Sequence, residues 1–455
     1  MPSLDWSRDE RSRTLRAEAQ RRAIAVATLV RAPGRVNLIG EHTDYNGLPV
    51  MPMAIDRDVR IAVAPRSDRR ISLANVGAFQ PRDFELSADI TPYPAGDWGN
   101  YIKAAAQGLA RHCGSDLRHG ADLLVDGNVP TGAGLSSSSA LVVAAALSLL
   151  AANQLEVPYP VLAELLPHAE RYVGTMSGGM DQTISLLGQA GHALRIDFFP
   201  LRYRTVPLPA GYRFVVSHSL VAAEKSGDAK EAYNRRVVEC RIGCRLLELS
   251  LADGTALQRL GDLAQDDRPL SGFVHALELR LPDQPMTEIE IARAFGGPAS
   301  LESELQDLVN RSGVAGPFQP VRRVRHVLSE ADRVCAAEIA LCNGDVAAFA
   351  ERMNDSHRSC RDDYQISCPE LEALVAIARD NGAIGARLTG AGFGGCTVSL
   401  VPQGHVDHLL QTLDRRFYRG RLAPEELTQR RFSLVPVDGA AVHSLASEAD
   451  ASGNP

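Results

Sequence analysis

No stretch of this sequence approaches the roughly 20 consecutive apolar residues that a bilayer-spanning helix needs, so no membrane partner is expected. Nor does a secretory leader stand out, because the first apolar run, residues 23–30, lies behind mixed charges and flows into a Gly/Pro turn. The eight cysteines contain no C-x-x-C pair. Cys240 and Cys244 stand four apart in a helical stretch, and Cys360 and Cys368 flank a polar turn without paired histidines. Neither a disulfide framework nor a zinc site is expected, and reduced thiols in a cytoplasm fit best. Basic residues do not predominate: 48 Lys and Arg against 55 Asp and Glu leave a net charge of -7, which argues against a nucleic-acid partner. The basic stretch 8–22 is interleaved with Glu10, Leu15 and Glu18, and reads as a solvated helix. Internal repeats at solenoid periods are absent.

What remains is an ordinary globular composition, 45% hydrophobic and 23% charged, in a chain of 455 residues. That length favours two domains. The first half alternates β-branched runs (26–31, 59–64, 121–125) with glycine-rich turns. An Ala/Leu-rich helix is expected over 136–155 and another over 160–172. Strand-like runs return at 192–198 and 212–217. Helical patterns then dominate at 235–249, 320–341, 346–357 and 368–381, before a final apolar run at 432–437. The Asp/Pro/Gly-rich stretch 251–319 yields no clear assignment. The expected division is a polar helix or tail over 1–22, domains over 23–215 and 216–445, and a frayed tail over 446–455.

Three stretches carry chemistry. In GRVNLIGEHTDYNG, from Gly34 to Gly47, Arg35, Glu41, His42 and Asp44 crowd a short loop bounded by glycines. Carboxylates and an imidazole offer acceptors to a polyhydroxylated ligand, although a self-satisfied polar turn would look the same. In PTGAGLSSSSA, from Pro130 to Ala140, glycines precede a helix start, which suits a phosphate and a serine-ligated Mg²⁺. A serine-capped helix is the plainer alternative. No Gly-Lys-Ser/Thr follows, so it is not a Walker loop. In LTGAGFGGC, from Leu388 to Cys396, the letters fit G-x-G-x-x-G, but a strand-like run follows where a dinucleotide fold needs a helix. A glycine hairpin pressed on a ligand or another loop is expected instead. Between these lies Gly178-Gly179-Met180-Asp181-Gln182, where Asp181 alone could be a helix cap.

Together these segments resemble the GHMP small-molecule kinases and, within them, the galactokinases. WGNYIKA from Trp98 and SHRSCRDDYQISCPEL from Ser356 extend the likeness over most of residues 25–440. The resemblance implies an α+β fold, with a ribosomal-protein-S5-like N-terminal domain and a ferredoxin-like C-terminal domain; a monomer is the expected state. It implies that Glu41, His42, Asp44, Gly178 and Tyr233 hold the sugar and that Trp98 lines an adenine site. Gly132, Ala133, Gly134, Leu135, Ser136, Ser137 and Ser138 would wrap ATP, with Ser138 and Glu170 as Mg²⁺ ligands. Asp181 would accept the proton of the anomeric hydroxyl, kept ionised by Arg35. Two alternatives stay open. Gly178 to Asp181, Arg235 to Cys240 and the 251–319 insert look nearer the N-acetylgalactosamine kinase and fungal branch, while Tyr233 resembles galactose-specific members. A non-catalytic sugar and ATP sensor is the rival from another class, but such proteins lose part of the serine run that this chain keeps.

Overall fold

The computed structural model describes residues 5–445 apart from 7, 175–177, 223–227, 252, 253, 255 and 265–268. The expected frayed tail, 446–455, lies outside the described residues. Helix α1 (Glu10–Arg21) leads into β1 (Thr28–Asn37), β2 (Pro52–Pro65), β3 (Arg70–Asn75) and β4 (Arg82–Glu85). Then come α2 (Gly99–Cys113), β5 (Ala121–Gly127), α3 (Ser137–Ala152), α4 (Tyr159–Glu170), α5 (Met180–Leu187), and a hairpin of β6 (His192–Asp197) and β7 (Arg202–Pro207). The second half runs β8 (Tyr212–His218), α6 (Asp228–Glu248), α7 (His275–Glu278), α8 (Glu288–Phe295), α9 (Leu301–Ser312), α10 (Pro320–Cys342), α11 (Val346–Asp362) and α12 (Pro369–Asp380). It closes with β9 (Gly385–Thr389), β10 (Cys396–Pro402), α13 (Val406–Leu413), β11 (Arg431–Leu434) and β12 (Ala441–Ser444).

The first sheet has the order β12-β1-β2-β5-β3-β4. Strand alternation gives it two buried faces. Val30, Ile61 and Leu123 point to α2 and α3, whereas Leu29, Ala62 and Leu124 point to Leu15 and Ala19 of α1. Helix α1 is therefore not the solvated helix expected. It covers the sheet's back, and Arg11 pairs with Asp58 and Asp126. Helix α3 is buried on nearly every side, as its run of Ala, Val and Leu allows.

The second sheet is antiparallel, with the order β11-β8-β10-β9. Numbered within the unit, that is the fourth, first, third and second strand of a βαββαβ chain, the ferredoxin-like arrangement. Its first crossover is long, and the unassigned stretch 251–319 supplies α7, α8 and α9 there, sharing a core with α6 and α10 through Leu277, Ile291 and Phe318. The expected boundary at 215/216 falls inside β8, and β12 returns to pair with β1. The two sheets also share a core, where Val36 and Met53 meet Phe214 and Val398. The fold class is α+β, as expected. Among the described residues no helix is long and apolar enough to cross a membrane.

Candidate active site

Strand β1 extends beyond the run that the sequence suggests, shifting register between Pro33 and Arg35. Arg35 therefore stands on a strand rather than in a loop, and its guanidinium works as a fork. Nε donates to Asp181 Oδ1 at 2.8 Å, and Nη1 to the Gly134 carbonyl at 2.5 Å. Asp181 lies in the first turn of α5, led in by Gly179 at a φ of +111° that suits only glycine. Behind it, Ser139 Oγ donates to Glu170 Oε2 at 2.9 Å and stands 3.5 Å from Asp181 Oδ2. The Gln182 amide donates to the same oxygen of Glu170, which is fully buried at the end of α4.

Gly132 and Gly134 take φ values of +64° and +72°, and Ser136 takes +60°. Ser136 does not cap α3, and its buried hydroxyl has no hydrogen-bond partner. The sixteen-residue helix thus opens with uncapped N–H groups beside an unpartnered hydroxyl, an arrangement suited to an anion. The 390–395 glycine loop closes on this one, since a Cβ on Gly390 would stand 2.5 Å from the Gly134 oxygen. A strand follows it, so the dinucleotide alternative is excluded.

The loop after β1 is braced from both halves of the chain. Glu41 Oε1 accepts from the Gly390 amide at 2.8 Å and from Arg387 Nη1 at 3.2 Å. His42 Nε2 meets the Ala391 carbonyl at 3.1 Å, and Nδ1 meets the Tyr45 hydroxyl at 3.0 Å. A carbonyl can only accept, so Nε2 carries the proton and Tyr45 donates to Nδ1. Burial pulls this imidazole down to about 3, so the ring is neutral at working pH. Asp44 accepts from the amides of Tyr45 at 2.9 Å and Gly178 at 3.1 Å. Burial, and then the charge of Asp181, raise its pKa. A Cβ on Gly178 would stand 2.4 Å from the Tyr45 nitrogen, which is why the 178–182 segment can approach so closely. Tyr233 of α6 leans on His42, ring centroids 5.2 Å apart, and its hydroxyl feels the charges of Asp44, Asp181 and Glu41.

Arg35, Asp181, Glu41, His42, Asp44, Gly178 and Tyr233 are thus one cluster where the two sheets meet, flanked by the 132–138 loop and Glu170. Both ring nitrogens of His42 have protein partners, and in this conformation the ring braces the loop that carries Glu41 and Asp44. Trp98 heads α2, which packs against α3; its indole N–H donates to the Gln80 carbonyl at 3.0 Å, and the ring lies beside Phe79. It is Ser139, not Ser138, whose hydroxyl reaches Glu170. Sequence reasoning also passed over Arg387, fully buried on β9, whose only signal was a charge inside an apolar strand. Among the described residues no group of three His, Cys, Asp or Glu side chains is placed to hold a metal.

Comparison with known proteins gives this geometry a class. The chain matches the GHMP kinases N terminal domain over residues 100–189 and the GHMP kinases C terminal model over 337–420, so it has the fold of a GHMP kinase, a family that uses ATP. A third match, the galactokinase galactose-binding signature, covers residues 21–65. A galactokinase of Dictyostelium discoideum is 36% identical over 91% of this chain and 90% of its own. A galactokinase of Roseiflexus sp. is 40% identical over 86% of this chain and 87% of its own. The crystal structure of Lactococcus lactis galactokinase complexed with galactose superposes with a TM-score of 0.73 at 26% identity, covering 94% of this chain and 99% of that one. The chain belongs to the galactokinase family.

Proposed function

We propose that this chain transfers the γ-phosphoryl group of ATP to the C1 hydroxyl of galactose, with Asp181 and Arg35 at the reacting atoms. The observation that carries the reading is the Arg35 fork, which ties the Asp181 carboxylate to the backbone of the 132–138 loop. Phosphoryl transfer asks mainly for positioning and charge stabilisation. Asp181 accepts the proton of the C1 hydroxyl while Arg35 steadies negative charge on the transferring group. Asp44, Glu41, Gly178 and Tyr233 fix the sugar, and His42 holds the loop that carries the first two. The 132–138 loop takes the triphosphate at the start of α3, where Ser136 keeps an unpartnered hydroxyl, and Trp98 lines the adenine side.

The buried carboxylate of Glu170, hydrogen-bonded at the start of α3, fits a Mg²⁺ ion better than a closed protein cage would. Mg²⁺ takes one or two carboxylates and leaves the rest of its shell to water and phosphate. Glu170 and Ser138 are the residues proposed to hold it. When bound, the ion would neutralise charge on the phosphates. The free state of all eight cysteines supports work in a reducing cytoplasm, and a site built within one chain supports a monomer. We divide the chain between β7 and β8, with β12 assigned to the first unit.

The test is an ADP-release assay with Mg-ATP and a panel of galactose, N-acetylgalactosamine, glucose and mevalonate, with Asp181→Ala as the blank. Galactose turnover well above the rest, lost in the variant, is expected. Preference for N-acetylgalactosamine would move the substrate and keep the mechanism. No turnover with any sugar would end the reading.

A further inference from the structure

We propose that Glu330 and His326, one turn apart on α10, are positioning residues for sugar binding. Their polar atoms clamp the peptide that carries Glu41. Glu330 Oε1 accepts from the Gly40 amide at 2.8 Å and lies 3.4 Å from the Glu41 amide. Its place is fixed by the Ser356 hydroxyl at 2.5 Å and by Arg333 Nε at 2.7 Å on its other oxygen. His326 Nε2 stands 3.0 Å from the Glu41 carbonyl, which can only accept, so this nitrogen donates. Nδ1 faces Ser359 Oγ at 2.9 Å, and the ring leans on Tyr364, whose hydroxyl meets Tyr45. Both side chains are fully buried. Amides and carbonyl of the same short segment are therefore held by one helix face that contributes no group to the cluster itself.

The segment needs such a clamp. Gly40 sits at φ +97° and His42 at φ +61°, so the chain kinks on both sides of Glu41. A non-glycine residue in that region persists only where its surroundings over-determine it. Released from α10, the loop would relax, and Glu41, His42 and Asp44 would lose their common geometry. The ATP loop, on the other side of Arg35, would keep its own. The inference rests on the reading of this cluster as the sugar site.

The experiment measures KM for galactose and for ATP, with kcat, in Glu330→Gln, His326→Leu and His326→Gln, alongside thermal melting. A glutamine at 330 must turn its amide N–H₂ toward either the loop amides or Arg333, donor against donor. Galactose KM is expected to rise about tenfold in Glu330→Gln and His326→Leu, with ATP KM changed by no more than about twofold. His326→Gln keeps a donor for the Glu41 carbonyl and should recover most of the loss. Galactose and ATP KM rising together, or neither moving, in variants that still melt cooperatively overturns the proposal. If Glu330→Gln does not fold, the Leu and Gln pair at 326 decides, because only a clamp predicts rescue by glutamine. Failure of the sugar-site reading has a separate signature: wild type would not turn over galactose, and Asp181→Ala would match it.

Discussion

Gly390 and Gly134 meet backbone to backbone, so that a methyl group on Gly390 would stand 2.5 Å from the Gly134 carbonyl oxygen. That same oxygen accepts from Arg35, and the Gly390 amide donates to Glu41. One contact between two loops thus joins the phosphate side of the site to the sugar side. It also explains why a family of three short motifs, far apart in sequence, can act as one unit.

Substitution at that contact should disturb both substrates. Gly390 sits at φ +88°, so Gly390→Ala adds backbone strain of about 1–3 kcal/mol to the steric clash. KM for ATP and for galactose are both expected to rise by roughly tenfold or more. Gly178→Ala places its nearest clashes against Asp44 and Tyr45, and should raise the galactose KM while leaving that for ATP near wild type. Steady-state kinetics of the two variants separates the cases. Equal effects on ATP from both would contradict this division of the site.

The Arg35 fork sets a second prediction. Asp181→Asn keeps the shape but cannot take a proton, so kcat should fall by about 10²–10⁴-fold with galactose KM little changed. Arg35→Lys keeps the charge but not the planar fork that spans Asp181 Oδ1 and the Gly134 carbonyl. It should lose about 10²-fold in kcat, since a single ammonium cannot make both contacts in the same geometry. A lysine variant with wild-type kcat would mean that charge alone suffices.

Ser139 Oγ donates to Glu170 and stands 3.5 Å from Asp181, so the loss of its hydroxyl removes one of the donors to Glu170 and the group that lies between the two buried carboxylates. Ser139→Ala should therefore lower kcat about tenfold and increase the Mg²⁺ concentration needed for half-maximal rate. Ser138→Ala tests the neighbouring assignment in the same titration. If only the 138 variant shifts the Mg²⁺ requirement, Ser139 serves the carboxylates and not the ion.

The legible parts of this molecule are those in which local chemistry coincides with fold. Glycine runs flanking Arg35, Ser136 and Asp181 could be read directly, as could α3 and α10, whose apolar periodicity is long. Helices α7 to α9 could not, because α7 and α8 are short and the Asp/Pro/Gly punctuation around all three breaks any period. Strand β12 is four residues, none of them fully buried, and its pairing with β1 is visible only in three dimensions. Ser139 was inside a recognised motif, yet that its hydroxyl is the one to reach Glu170 depends on the facing of the helix start. Glu330 and His326 lie about 290 residues from the loop that they hold, on a helix whose pattern reads simply as buried. Arg387 gave a weak hint as a charge in a strand, but its partner Glu41 is 346 positions away.

His326 also makes a prediction that does not depend on catalysis. A histidine free in the unfolded chain titrates near 6.5, whereas burial, followed by the Glu330 charge acting the other way, leaves His326 at about 4. Below pH 6.5 the unfolded chain takes up a proton that the folded chain refuses. The folded state therefore loses stability as pH falls from 6.5 towards 4, by about 2 kcal/mol at pH 5 for this one group. Glu41 and Asp44 have raised pKa values and act in the opposite sense, so the whole-protein curve mixes both signs. The difference between wild type and His326→Gln isolates the histidine. Measured by urea unfolding at pH 7.5 and pH 5, wild type should lose about 2 kcal/mol relative to the variant on acidification. A constant difference between the two pH values would mean that His326 takes its proton in the folded state as readily as in the unfolded one, and that its ring is not held neutral against the Glu41 carbonyl.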